Sequence, residues 1–120
     1  MKIHIDKNTT TAQIKEKFSK TYPFLKLEFY KKAHAVGQAS PKSDLIEEEL
    51  PINEIRKPNS EGDFVFTPEN TVNDVEQGFE KNYGIHVQVL RKSRGLWLET
   101  TATDDWTLKE QNETGKEMES

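Results

Sequence analysis

Asp104 and Asp105 stand side by side ahead of Trp106, with Glu99 a few residues upstream. Adjacent carboxylates of this kind can hold a divalent cation or divide acid–base work between them. A hydrolase or metal enzyme would centre on these three acids. The residues that follow offer a second explanation. Thr107 and Glu110 have the T-x-x-E spacing of a helix capping box, in which hydroxyl and carboxylate each satisfy a free backbone N–H. Carboxylates just ahead of a helix also face the positive end of its dipole. No Gly-rich phosphate cradle accompanies the pair. The pattern therefore reads as the start of a helix, with no catalytic residue and no metal site assigned.

The other groups capable of chemistry are dispersed. His4 and His86 each alternate with apolar neighbours, so both are expected to point away from a helix-packed sheet face. On neighbouring strands they would offer two zinc ligands, but no third is visible. His34 lies in "KKAHAVGQASP", a loop beside lysines that lacks P-loop spacing and context. Ser43, Ser60 and Ser93 fall in turns, and no nucleophile elbow is present. The absence of cysteine excludes disulfides, thiolate metal sites and a thiol nucleophile. No cofactor is implied.

These groups must be held by elements, and the elements recur. "TTAQIKEKFSKTY" (10–22) aligns with "TVNDVEQGFEKNY" (71–83) at an offset of 61. Thr10 meets Thr71, Ile14 meets Val75, Phe18 meets Phe79 and Tyr22 meets Tyr83. Both segments carry one apolar helical stripe. Thr10 with Gln13, and Thr71 with Asp74, predict N-terminal caps, while Pro23 and Gly84 predict the stops. Upstream, "KIHID" and "DFVFT" alternate as strands. Downstream, "FLKLEFYKK" and "IHVQVLRKS" do the same, and "RKSRGL" turns into a returning strand "LWLETT". "EELPINE" aligns with "DDWTLKE", which predicts a helix starting near Pro51 to match the one after Thr107.

The predicted fold is α+β: tandem pseudo-symmetric βαββα repeats in a two-layer α/β sandwich, with a ferredoxin-like arrangement as the nearest analogy. The chain is expected to be one domain over residues 1–120, built from repeats 1–58 and 61–120 with a turn-rich linker near 57–62. The pattern T-x-x-x-[IV]-x-x-x-F-x-K-x-Y, followed by a strand with a basic end, resembles small uncharacterised bacterial proteins with a βαββα unit. That resemblance carries no established activity and therefore no functional residue.

If both main helices cover one sheet face through Ile3, Ile5, Leu25, Leu27 and Phe29, the alternate residues face the other way. These are His4, Lys26, Tyr30, Val65, His86, Leu90 and Trp97. Tyr30, Leu90, Trp97 and His86 are the candidate binding residues on this open face, with Leu96 and Leu98 assigned to the core. Lys31, Lys32, Arg91, Lys92 and Arg94 are the candidate basic residues at its ends. The leading expectation is a non-catalytic protein–protein interaction module, by a partner or by self-association. The alternative is nucleic-acid binding through the basic N-terminal half and the basic hairpin loops.

Composition sets outer bounds. Residues 1–42 hold nine lysines against three acids, and residues 43–120 hold eight Lys or Arg against eighteen acids. The two halves are thus opposite in sign, and the basic half is expected to fold against the acidic one. Leu, Ile, Val and Phe number 27 of 120, enough for a thin core. The polar start "MKIHIDKNTT" does not read as a signal peptide, and no apolar run approaches a membrane span. A cytoplasmic location without membrane contact is the expectation.

Overall fold

The structure, a computed structural model, describes residues 1–33 and 37–119. His34, singled out above, lies outside the described residues. The strands are β1 (Lys2–Ile5), β2 (Leu25–Tyr30), β3 (Leu45–Ile46), β4 (Gly62–Val65), β5 (His86–Ser93) and β6 (Leu96–Glu99). The helices are α1 (Thr11–Thr21), α2 (Val72–Tyr83) and α3 (Leu108–Glu119). The fold is mixed α+β.

Local chemistry sets the helix ends. Thr10 and Gln13 close a capping box on α1, and Thr71 and Asp74 close one on α2. Thr107 and Glu110 do the same before α3: the Glu110 N–H donates to Thr107 Oγ1 at 3.1 Å, and the Thr107 N–H donates to Glu110 Oε1 at 3.1 Å. α2 stops at Gly84, whose φ of 65° is the left-handed conformation a C-cap needs. The helix expected after Pro51 is a single 3-10 turn, Ile52–Glu54. Only six residues separate Pro51 from Pro58, and proline both stops a helix and restricts the residue before it.

The strands divide between two antiparallel sheets. β1 pairs with β4, while β3, β2, β5 and β6 form a four-stranded sheet in that order. In the first, Ile3 lies opposite Phe64; in the second, Glu28 lies opposite Gln88. Equivalent backbone bonds join each main helix start to a later segment: Thr11 N–H to the Leu50 carbonyl at 2.9 Å, and Val72 N–H to the Trp106 carbonyl at 3.1 Å.

The core joins Ile3, Ile5, Phe64 and Phe66 of the small sheet region to Ile14 and Phe18 of α1 and Val72, Val75 and Phe79 of α2. Leu25, Leu27, Phe29, Val87 and Val89 complete it from the large sheet. Phe64 stands edge-on to Phe79 with centroids 4.8 Å apart. Two glycines allow close approach. A Cβ on Gly78 of α2 would come within 2.3 Å of the Phe64 ring, and one on Gly115 of α3 within 2.7 Å of Phe24 Cβ. α3 therefore lies on the face of β5 that carries Arg91.

Lys15 and Lys26 both pair with Glu28, and Lys20 pairs with Glu16, all inside the basic half. Lys2 and His4 reach across to Asp63.

Candidate functional site

Opposed residues in an antiparallel pair share a face, so the register defines the candidate surface. Tyr30 lies opposite His86, Glu28 opposite Gln88, Lys26 opposite Leu90, Leu90 opposite Glu99, and Lys92 opposite Trp97. Tyr30, His86, Leu90 and Trp97 therefore do lie on one face, as their alternation predicts.

That face is not open along its length. Tyr30 and Leu90 are buried, and so is Gln88 between them. The Gln38 carbonyl accepts a hydrogen bond from Gln88 Nε2 at 2.9 Å, and Ser40 is buried. The part of the β2–β3 connection around Gln38 thus lies over the sheet at Gln88. Tyr30 and Leu90 are packing residues rather than exposed anchors. Burial, with the charges of Glu99, Glu28 and Glu76 nearby, pushes the Tyr30 hydroxyl pKa up to about 12. The sequence signal for this cover was the length of the connection, since long irregular segments in small domains are seldom idle.

Trp97 remains half-exposed at the far end of the face. Lys26 Nζ lies 4.9 Å from its ring centroid and Lys92 Nζ 5.9 Å, both within cation–π range. Lys26 is held in turn by Glu28 Oε1 at 3.3 Å.

Leu96 and Leu98, expected in the core from their alternation, are instead 66% and 42% exposed. Their parity is as expected, because Leu98 lies opposite Arg91 and Arg91 opposite Leu25 on the helix side. What fails is the cover. Arg91 bonds Gln111 Oε1 at 2.9 Å and stacks over Trp106, with 5.7 Å from Cζ to the ring centroid. α3 tracks β5 through these contacts and leaves β6 outside its footprint. Its far end reaches the hairpin tip, where Glu119 Oε1 accepts from Gly95 N–H at 2.8 Å.

The β6 edge completes the site. Arg94 and Gly95, with φ of 51° and 79°, form a two-residue hairpin turn with both residues left-handed. In such a hairpin the Ser93–Leu96 pair exchanges hydrogen bonds and the next pair does not. The Lys92 N–H points instead to β2 and donates to the Phe24 carbonyl at 2.9 Å. Leu96 and Leu98 therefore direct their backbone groups at β5, while Trp97 and Glu99 direct theirs outward. Beyond β6 the edge of β5 is closed: Glu76 Oε2 accepts from Val89 N–H at 3.0 Å, and Thr100 Oγ1 donates to the Val89 carbonyl at 2.7 Å.

The candidate basic residues do not merge. Lys31 and Lys32 follow the Tyr30–His86 end of the sheet, whereas Arg91, Lys92 and Arg94 lie at the Leu25–Arg91 end. Five strand steps of roughly 3.4 Å separate those ends by about 17 Å. Lys31 instead helps line a cleft of about 310 Å³ with Tyr30, His86, Ile46, Leu50 and Ile55, rimmed by Glu48 and Glu54. His86 Nδ1 contacts Glu80 there.

The histidine and carboxylate candidates are likewise dispersed. His4 is on β1 and His86 on β5, in different sheets, so they are not on neighbouring strands. His4 meets Asp63 at 2.7 Å and Asp6 at 3.1 Å, and the Asp63 hydrogen bond raises its pKa. The Asp104 backbone also serves α2, its carbonyl accepting from Asn73 N–H at 2.8 Å. Among the described residues, no group of three or more His, Asp or Glu is arranged to hold a metal ion. No helix among them is long and apolar enough to cross a membrane.

Compared with protein-family models, curated proteins and solved structures, the chain matches none. Its functional reading rests on its own geometry.

Proposed function

We propose that this protein is a non-catalytic protein–protein interaction module, and that it docks through the outer edge of β6 and the Trp97 end of the sheet. The observation that carries this is the exposure of Leu96 and Leu98 on a strand whose outward N–H and C=O groups have no partner strand among the described residues. Proteins usually blunt such edges with charge, proline or a covering segment. Here the neighbouring edge of β5 is closed by Glu76 and Thr100, while β6 is left with leucines. Addition of a strand would satisfy its backbone and cover its apolar side chains together. Trp97 adds a rigid aromatic anchor beside it.

Photo-crosslinking tests this. Benzoylphenylalanine replacing exposed Leu98 should form a protein adduct in cells of origin, and the same residue replacing exposed Lys17 on α1 should not. Adducts at position 17 alone would contradict the reading.

Nucleic-acid binding is the second reading. The two lysines over the Trp97 ring favour it, and the separation of the basic groups weighs against it. Steep loss of single-strand binding with salt would support it.

We also infer that the chain is a tandem of two βαββα units in one domain. Support comes from residues aligned in the sequence. Ile3 and Phe64, 61 apart, face each other, as do Glu28 and Gln88, 60 apart. Two-fold symmetry demands such self-matched pairs at its axis. The bridges Thr10–Pro51 and Thr71–Thr107 link aligned positions in the same way.

A further inference from the structure

The occupant of the β6 edge can be deduced from the strand itself. We propose that a second copy of this chain docks there, antiparallel, with Trp97 facing its own counterpart across a two-fold axis. This rests on the reading of β6 as the docking edge and names the partner.

The register follows from three constraints. First, opposed residues share a face, so in a symmetric pairing one β6 residue must face itself. Second, only residues whose backbone groups point outward can exchange hydrogen bonds across the edge. In β6 these are Trp97 and Glu99, as the Lys92–Phe24 bond establishes. Third, the side chains must match. An axis at Glu99 opposes two carboxylates. An axis at Leu98 calls on Thr100 opposite Leu96, but Thr100 is buried and bonded to Val89 in its own sheet. An axis at Leu96 sets the second copy's Arg94, a cation, against the exposed Leu98.

An axis at Trp97 meets all three. Each Trp97 N–H donates to the Trp97 carbonyl of the other copy. Each Leu96 meets the other's Leu98 on the helix side, twice over, burying the exposed leucines of both chains. Each Glu99 falls opposite the other's Gly95, which has no side chain to obstruct it and stands beside Arg94. Within one chain, Glu99 and Arg94 sit at opposite ends of the strand, and no ion pair joins them among the described residues. The antiparallel match brings them within reach at both ends of the interface. The two four-stranded sheets would then form one eight-stranded sheet, a size seen in twisted open sheets.

Sedimentation velocity over a wide concentration range tests the proposal. The intact chain should show a monomer–dimer equilibrium. Leu96→Lys with Leu98→Lys should be monomeric at every concentration, with an unchanged circular dichroism spectrum because both sites are exposed. Glu99→Arg alone should weaken the dimer by about tenfold or more, by placing cations together. Arg94→Glu combined with Glu99→Arg should restore it, an exchange that a purely intrachain role would not produce. A chain monomeric throughout would overturn self-association. A foreign adduct at position 98 in that case would leave the β6 reading standing, and no adduct would remove both. A dimer that survives both the lysine pair and Glu99→Arg would place the contact elsewhere and overturn the proposal.

Discussion

Gly78→Ala should destabilise this protein, although the same change in an ordinary helix stabilises. Alanine in place of glycine inside a helix gains roughly 1 kcal/mol of propensity. At position 78 the new methyl would stand 2.3 Å from Phe64 Cζ and 2.8 Å from Cε1. Ordinary carbon contact lies near 3.5–4.0 Å, so the ring must retreat by more than about 1 Å. It has little room. Phe79 stands edge-on at 4.8 Å, Phe66 lies at 5.2 Å and Tyr83 at 6.0 Å from its centroid. Overpacking of this sort costs about 1–3 kcal/mol. The net expectation is a loss of up to about 2 kcal/mol, or several degrees in Tm for a domain of this size. Urea denaturation of Gly78→Ala, Phe64→Leu and the double variant would measure it. Phe64→Leu removes the atoms in the way, so the double variant should be less destabilised than the two singles together. A Gly78→Ala protein more stable than the parent would refute the close approach of α2 to β4.

Phe18→Ala and Phe79→Ala should each cost about 3–5 kcal/mol, read by the same denaturation, since both rings are fully buried. Thr107→Ala should cost about 1 kcal/mol by opening the α3 box, whereas Asp105→Asn, at an exposed position, should change stability by less than about 0.5 kcal/mol; thermal melts of the two variants separate cap from charge. Backbone hydrogen bonds from Thr71 and Thr107 lower the pKa values of Asp74 and Glu110. Their contribution is therefore present above the ordinary carboxylate pKa and is lost as pH falls through the lowered values. α1 uses Gln13 in the same place and has no such dependence. Asp74→Asn with Glu110→Gln should flatten the acid limb of the stability–pH curve, and an unchanged limb would contradict this.

What was legible in the sequence was local. The three capping boxes involve residues three apart, and the hairpin turn needs only Arg94 and Gly95, so neither depends on distant packing. Strand alternation correctly placed Leu25, Leu27 and Phe29 on one face and Trp97 on the other. Alternation gives parity but not cover, and the errors lie there. Leu96 and Leu98 have core parity but fall beyond α3, whose path is set by Gly115 against Phe24 and by Arg91 against Gln111 and Trp106. Tyr30 and Leu90 have open-face parity but are buried, on a face where Gln38 of the β2–β3 connection returns to bond Gln88. No periodicity encodes where a loop returns. The separation of β1 and β4 into their own sheet was hidden for the same reason, since strand partners are long-range choices. Of the candidate site, Trp97 was legible as an outward aromatic, whereas the outward backbone groups beside it emerged only with the register.

The most direct test of the β6 edge is amide hydrogen exchange read at four consecutive residues. In dilute protein, the Leu96 and Leu98 amides, bonded to β5, should be protected, while those of Trp97 and Glu99 exchange freely. On association, Trp97 and Glu99 should become protected to a similar degree. Persistent free exchange at Trp97 and Glu99 in the associated protein would contradict docking at this edge, as would protection of both in the dilute monomer.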